Sequence, residues 1–418
     1  MEFVELTDKE FEEFSKKNEK ANFFQTIEYK NLKESDNIKV DLVGVKEKNK
    51  VLCASLLVEE KYKSHVTFYA PRGFLIDFHN KELLTFFVNN LKDYVKKRKG
   101  FRIVIDPNLI YRTRNADGSI IDENEKDDES FNNIKSLGFK HFGFNIYFET
   151  RQVRYGLKMI LDEDYEEKKK NFSKSTRKNI ETAQNNGLTI RIGDDKDLAI
   201  MEELFEATAT RKDFFFRKLD YYKKMYEYMH DLMTIYFAHV DPDIYLNYSK
   251  NNLDMEIENN KSIEEKMKKD MVGAKLKNQK ETSDNRIVKL KEELEKATKF
   301  KEENPDGKDI ACLLSMWNGE EYLTLTSGGL EEYRYFTPKY AMYDAHIKDA
   351  YKKKYKACNF YGISGNFEKE NNPVYGVYEF KRGFNGNVIE YIGQFELKTS
   401  WFYNIYSALR KVKNIIKR

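Results

Sequence analysis

The chain has 418 residues, 34% of them charged and 14% aromatic, with a formal net charge of +3. That length can hold two or three domains, each with its own core. So small a charge speaks against a general nucleic-acid binder, DNA included, and makes any anion site a local one. Cys53, Cys312 and Cys358 lie far apart with no CxxC spacing, which argues against a zinc site or a disulfide framework and fits a reducing compartment. The N-terminus, MEFVELTDKEFEEF, has no signal-peptide core. No apolar run approaches the roughly 20 residues of a membrane span. The expected location is the cytoplasm.

In chain order, Glu2–Leu6 reads as a strand, and Thr7 with Glu10 forms a capping box for a helix through about Lys17. A second short helix follows Thr26. Alternating apolar runs at Lys39–Lys46, Val51–Glu60 and His65–Ala70 read as strands, Lys81–Lys97 as an amphipathic helix, and Arg102–Asp106 as a buried strand stopped by Pro107. The second half repeats the order. Leu188–Ile192 is a strand, Asp197–Ala209 and Leu219–His230 are helices, and Met233–His239, Ile310–Trp317 and Tyr322–Thr326 are strands. A helix over Pro338–Tyr355 then leads to a strand at Lys356–Tyr361.

Both halves therefore read β-α-α-β-β-β-α-β. The expected fold is mixed α/β (α+β), with two tandem GNAT-like acyltransferase units whose sheets meet across a cleft. The first unit covers 1–155, completed by 385–418; the second covers 156–244 and 309–384. A tight turn between Lys46 and Val51 in the first copy is replaced in the second by the highly charged stretch Ser249–Lys308. Ile287, Leu290, Leu294 and Ala297 form an apolar stripe there, and Leu253, Ile257, Ile263, Met267 and Met271 a looser one. The pattern predicts an antiparallel two-helix coiled-coil arm over 245–308, acting as a spacer, a dimer contact or a tRNA contact. No GxGxxG, Walker A or HExxH motif occurs, and the coenzyme-A pyrophosphate loop of GNAT enzymes is missing from both copies. No metal and no bound cofactor are expected.

The stretch Asn359–Leu397 stands apart: NFYGISGNF, then VYGVYEFKRGFNGNVIEYIGQFEL from Val374. Its glycines (Gly362, Gly365, Gly376, Gly383, Gly386, Gly393) and rings suit an aromatic pocket around a fixed cation, or else two strands joined by glycine turns. These runs resemble the signature of the Fem family of peptidoglycan interpeptide-bridge aminoacyltransferases (FemA, FemB, FemX and MurM-like), and weaker similarity extends over nearly the whole chain. The resemblance implies an aminoacyl-tRNA donor as co-substrate in place of acyl-CoA. It implies a peptidoglycan precursor as acceptor, either lipid II or UDP-muramoyl-pentapeptide, receiving Gly, Ala or Ser. An acyl-CoA-dependent GNAT and a non-enzymatic coiled-coil adaptor are the rival readings.

By the same resemblance, Phe380-Lys381 matches the family's F-K-x-G-F motif, with Lys381 as the cation facing the oxyanion of the tetrahedral intermediate. Thr208 and Arg211 with Tyr221-Tyr222 match a T-x-x-R-x-x-F…YY segment, so Arg211 would grip the acceptor diphosphate. Lys33, with Lys30 as the alternative, matches a phosphate-binding lysine. Tyr361 and Gly362 line the pocket, and Asp106 is either an acid near the acceptor or a strand-end turn. Tyr69-Ala70-Pro71-Arg72-Gly73 matches another family run that serves a site or only the fold. Ser173, Arg177 and Lys178 are either a donor-binding phosphate contact or a solvated helix face. No residue stands out as general base.

Trp401, Phe402, Ile405, Leu409, Val412 and Ile416 lie at helical spacing among Arg410, Lys411, Lys413, Lys417 and Arg418. The end of the chain therefore reads as a helix docked on the first unit, a peripheral contact with the inner membrane leaflet, or both. A homodimer stays open.

Overall fold

The computed structural model describes residues 1–212, 215–269 and 273–416, with side chains of the last helix described through Arg410. Strands Glu2–Glu5, Val40–Glu47, Lys50–Tyr62, His65–Ala70, Gly100–Ile105, Phe395–Lys398 and Lys140–His141 form, in that spatial order, a seven-stranded sheet. An eight-stranded sheet runs Ile110–Arg114, Asn387–Tyr391, Tyr155–Ile160, Ala357–Ile363, Glu321–Gly329, Lys308–Asn318, Met233–Val240, Leu188–Gly193. Each sheet contains a single parallel pair: His65–Ala70 beside Gly100–Ile105, and Glu321–Gly329 beside Ala357–Ile363. Each pair is joined through a helix, Lys81–Lys97 in one case and Pro338–Lys352 in the other. This is the two-unit α/β architecture that the repeated pattern predicts.

The expected unit boundaries are corrected at two places. Ile110–Arg114, within 1–155, pairs with Asn387–Tyr391, and both belong to the second sheet. Only Phe395–Lys398 returns to the first, where it pairs with Gly100–Ile105. The chain thus crosses between the sheets four times, before Ile110, before Lys140, before Tyr155 and before Phe395. The crossings are pinned by buried ion pairs: Arg154 to Glu390 at 2.8 Å in the second sheet, Arg102 to Glu396 at 2.5 Å in the first.

Local signals act as their chemistry requires. Thr7 and Glu10 form the reciprocal cap of helix Asp8–Ser15, and Thr26 caps Ile27–Ser35. One apolar core is shared between the units, with Phe11, Leu32 and Leu56 from the first packing with Leu204, Met225 and Leu314 from the second. Helix Ile27–Ser35 lies against helix Leu219–Met229 across that junction. The inserted segment is a pair of antiparallel helices, Pro242–Lys269 and Ala274–Glu303. Its buried line runs through Leu253, Glu256, Asn260 and Ile263, not Ile257, and faces Ser283, Leu290 and Ala297. Asn260 donates to Ser283 Oγ at 3.0 Å and Ser283 to Glu256 at 2.6 Å, so polar side chains set the register mid-arm. Met271 lies outside the described residues.

The strand alternative for the glycine-rich stretch is corrected too. Tyr375–Arg382 is a helix, because the side chains that find cover, Tyr378 and Lys381, are three residues apart on one helical face. Gly376 sits in that helix with open space around it, so no close approach explains it. Gly383 is different: a Cβ there would lie 2.3 Å from Thr176 Oγ1.

Candidate active site

The site grows out of the parallel pair in the second sheet. Glu321–Leu323 pair with Ala357–Asn359, and there the pairing ends, although the strands continue to Gly329 and Ile363. A register shift between Asn359 and Gly362 peels the second strand from its other neighbour as well. Tyr361 takes a left-handed backbone, φ 58°, with its N–H donating to Asn359 Oδ1 at 2.9 Å. The splayed strands free the carbonyl of Gly362, and Lys381 Nζ donates to it at 2.8 Å.

Lys381 is buried, and that burial, together with the Lys339 ammonium nearby, pushes it down to about 7. Lys339 is itself lowered to about 8, by burial first and then by Lys212, Arg211 and Arg334. Phe380 packs edge-on against Tyr340 and Tyr343, centroids 4.9 and 4.8 Å away, and so walls the helix that carries Lys381. A lysine that sits near neutrality can be uncharged before a reaction and charged during it. It then supplies either a proton acceptor or a cation at one atom.

A polar chain leads away from the other side of the splay. Tyr361 OH donates to Gln152 Oε1 at 3.0 Å, Gln152 Nε2 donates to Tyr69 OH at 3.3 Å, and Tyr69 OH donates to Asp106 at 2.8 Å. Asp106 also accepts from the Arg72 backbone N–H at 2.8 Å; burial raises it to about 6 despite the Arg72 charge. Both its oxygens are therefore engaged in holding the Tyr69–Gly73 turn. Arg72 lies 4.1 Å from the Tyr391 ring centre, and Arg151 lies 4.4 Å from that of Tyr69 while pairing with Glu60.

Lys33 faces this region, 5.1 Å from the Tyr29 ring centre, and is lowered by burial and then by Arg217. Lys30 instead pairs with Asp8 and Glu34. Arg217 sits 4.9 Å from the Tyr221 ring centre, at a cavity of about 260 Å³ whose walls include Phe205, Tyr222, Leu325 and Thr326. Two cations close together with rings beside them are the kind of group that can pair with an anion.

Arg211 is not beside Lys33: it pairs with Glu331 at 2.9 Å, on the side of Lys339. Arg217 is the arginine beside Lys33. Asp213 and Phe214 of the motif lie outside the described residues. Thr208 Oγ1 accepts from Gly329 N at 2.9 Å and donates to Gly329 O at 3.2 Å, a tie between helix and strand. Ser173 caps helix Lys174–Asn185, and its N–H donates to Gly383 O at 2.8 Å. Arg177 donates to Phe172 O at 2.9 Å and to Lys170 O, which makes it a cap for the preceding turn. Lys178, the third of these candidates, is exposed. Lys339, Arg217 and Gln152 carry no local signal beyond the helix-starting Pro338 and the Phe-rich run that contains Arg217. Among the described residues, no cluster of His, Cys, Asp or Glu could hold a metal ion.

Residues 6–411 match the FemAB family. The chain belongs to that family. The FemA aminoacyltransferase of Staphylococcus epidermidis is 31% identical over 421 residues, covering 99% of this chain and 100% of that protein. The FemA aminoacyltransferase of Staphylococcus aureus is 31% identical over 424 residues, covering 100% of each. The crystal structure of FemX superposes with a TM-score of 0.75 over 95% of this chain and 97% of that one, at 23% identity, and so shares the FemAB fold.

Proposed function

We propose that this FemAB protein is an aminoacyltransferase of peptidoglycan precursor synthesis, acting in the cytoplasm. The donor is an aminoacyl-tRNA carrying glycine, alanine or serine, and the acceptor is an amine on the stem peptide, or on a residue already added to it, of lipid II or UDP-muramoyl-pentapeptide. The observation that carries this reading is the buried Lys381, aimed at a carbonyl where two parallel strands part. The curated FemA relatives, matched end to end, support the class of reaction.

The acceptor nitrogen attacks the ester carbonyl, the C–N bond forms, and the carbonyl π pair moves to oxygen. The attacking amine must shed a proton, and the new oxyanion needs a positive neighbour. Lys381 meets both needs in sequence. Near pH 7 a sizeable fraction is neutral and takes the proton; the arriving oxyanion then favours the ammonium. Collapse of the intermediate expels the terminal ribose oxygen of the tRNA, which takes the proton back from the Lys381 ammonium and returns the lysine to its starting state. Lys33 and Arg217 hold the acceptor diphosphate, and the rings around the cavity hold the groups attached to it.

Incubating the protein with lipid II and a charged tRNA pool, then weighing the product, tests this directly. The expected mass gain is that of one or more aminoacyl residues. Product formed only with an acyl-CoA, or no product with either acceptor, would overturn it.

A further inference from the structure

The last helix, Phe402–Ile416, meets the first unit through Phe402, Tyr403 and Tyr406. Phe402 stacks on His65 with ring centroids 3.6 Å apart and planes 1° from parallel. Tyr406 meets Tyr62 edge-on at 5.0 Å and lies 4.3 Å from the Arg102 guanidinium. Tyr403 donates to Glu396. Trp401, Ile405 and Leu409, four residues apart, form a separate stripe that stays 68%, 44% and 47% exposed. Phe402 thus belongs to the docked face, not to the apolar run that includes Trp401.

The charge of this end is of one sign. After Glu396 the sequence has no acid but carries Lys398, Arg410, Lys411, Lys413, Lys417 and Arg418, of which Arg410 is turned back to Glu396, 3.9 Å away. A second copy docking face to face would bring these like charges together. A polyanionic, soft-edged surface satisfies both features, since it takes in apolar side chains and pairs with cations. No helix among the described residues is long and apolar enough to cross a membrane, so insertion stops at the interface.

We infer that Trp401, Ile405 and Leu409 seat the protein on an anionic phospholipid bilayer, to which the one-signed charge of the sequence after Glu396 is complementary. The inference uses none of the reaction chemistry, so its failure leaves the proposed function standing, and the reverse.

The full chain is mixed with vesicles of phosphatidylglycerol and phosphatidylcholine, or of phosphatidylcholine alone, and co-sedimentation is measured from low to high salt. Binding is expected only to the anionic vesicles, weakening steeply with salt, as about 1 kcal/mol per surface cation requires, a factor of about five each. Trp401 emission should shift to the blue on binding. Ile405→Ser with Leu409→Ser should cut the partition coefficient at least about tenfold while circular dichroism stays that of the parent, since neither side chain is buried. Equal binding by parent and variant, no binding to anionic vesicles at low salt, or concentration-dependent dimerisation abolished by the same double change would each overturn the inference.

Discussion

Lys381→Met separates stability from turnover with opposite signs. Burial and Lys339 lower Lys381 from its ordinary 10.5 to about 7, so the folded protein binds fewer protons than the unfolded chain between those values. Stability therefore rises with pH across that window, and the penalty of keeping the ammonium buried is greatest below pH 7. At about 1.4 kcal/mol per unit the penalty is about 5 kcal/mol at pH 6 and about 2 kcal/mol at pH 9. Methionine removes it, but also removes the bond to Gly362 O, a loss of about 1.5–3 kcal/mol. The variant should thus be about 2–3 kcal/mol more stable than the parent at pH 6, and level with it or weaker near pH 9. Urea unfolding at both values measures this. Turnover at saturating acceptor should fall about 10²–10³-fold, the cost of losing one preorganised oxyanion partner. The residual rate should lose any inflection near pH 7. A variant less stable than the parent at pH 6, or turning over within about threefold of it, would refute the electrostatic reasoning.

Lys33→Met and Arg217→Met should each raise the acceptor KM about tenfold to a hundredfold with kcat little changed, whereas Arg211→Met should leave acceptor KM nearly alone; steady-state kinetics on all three decides which arginine holds the diphosphate. Arg102→Met removes the nearest cation of the buried Glu396, leaving it Tyr403 and Arg410 at 3.9 Å, and should cost about 3–5 kcal/mol, read as a lower urea midpoint, because the C-terminal strand loses its main anchor in the first sheet. Gly383→Ala drives a methyl into Thr176 Oγ1 and should lower stability by about 1–3 kcal/mol and turnover with it. Adding Thr176→Ala should restore part of both, and no rescue would place the strain elsewhere.

Patterns with a short period were readable from the chain alone. The capping box at Thr7, the helix Lys81–Lys97, the doubled order of elements and the inserted helix pair all depend on neighbours within one or two turns, and the residues themselves encode them. The family signature located Lys381 in the same way, as a string. What the string did not contain is which charges meet. Arg211 and Arg217 share one Phe-rich run, and only the course of the chain puts the second beside Lys33 and the first beside Lys339. Tyr375–Arg382 carries glycine and rings that suit a strand, but packing of Tyr378 and Lys381 on one face makes it a helix. The lowered proton affinity of Lys381 likewise belongs to no motif. It exists because packing shuts out water around Lys381 and, secondarily, because helix Pro338–Lys352 brings the Lys339 ammonium close. Proximity of like charges in a buried site is a property of the folded body, so tertiary structure alone decided it.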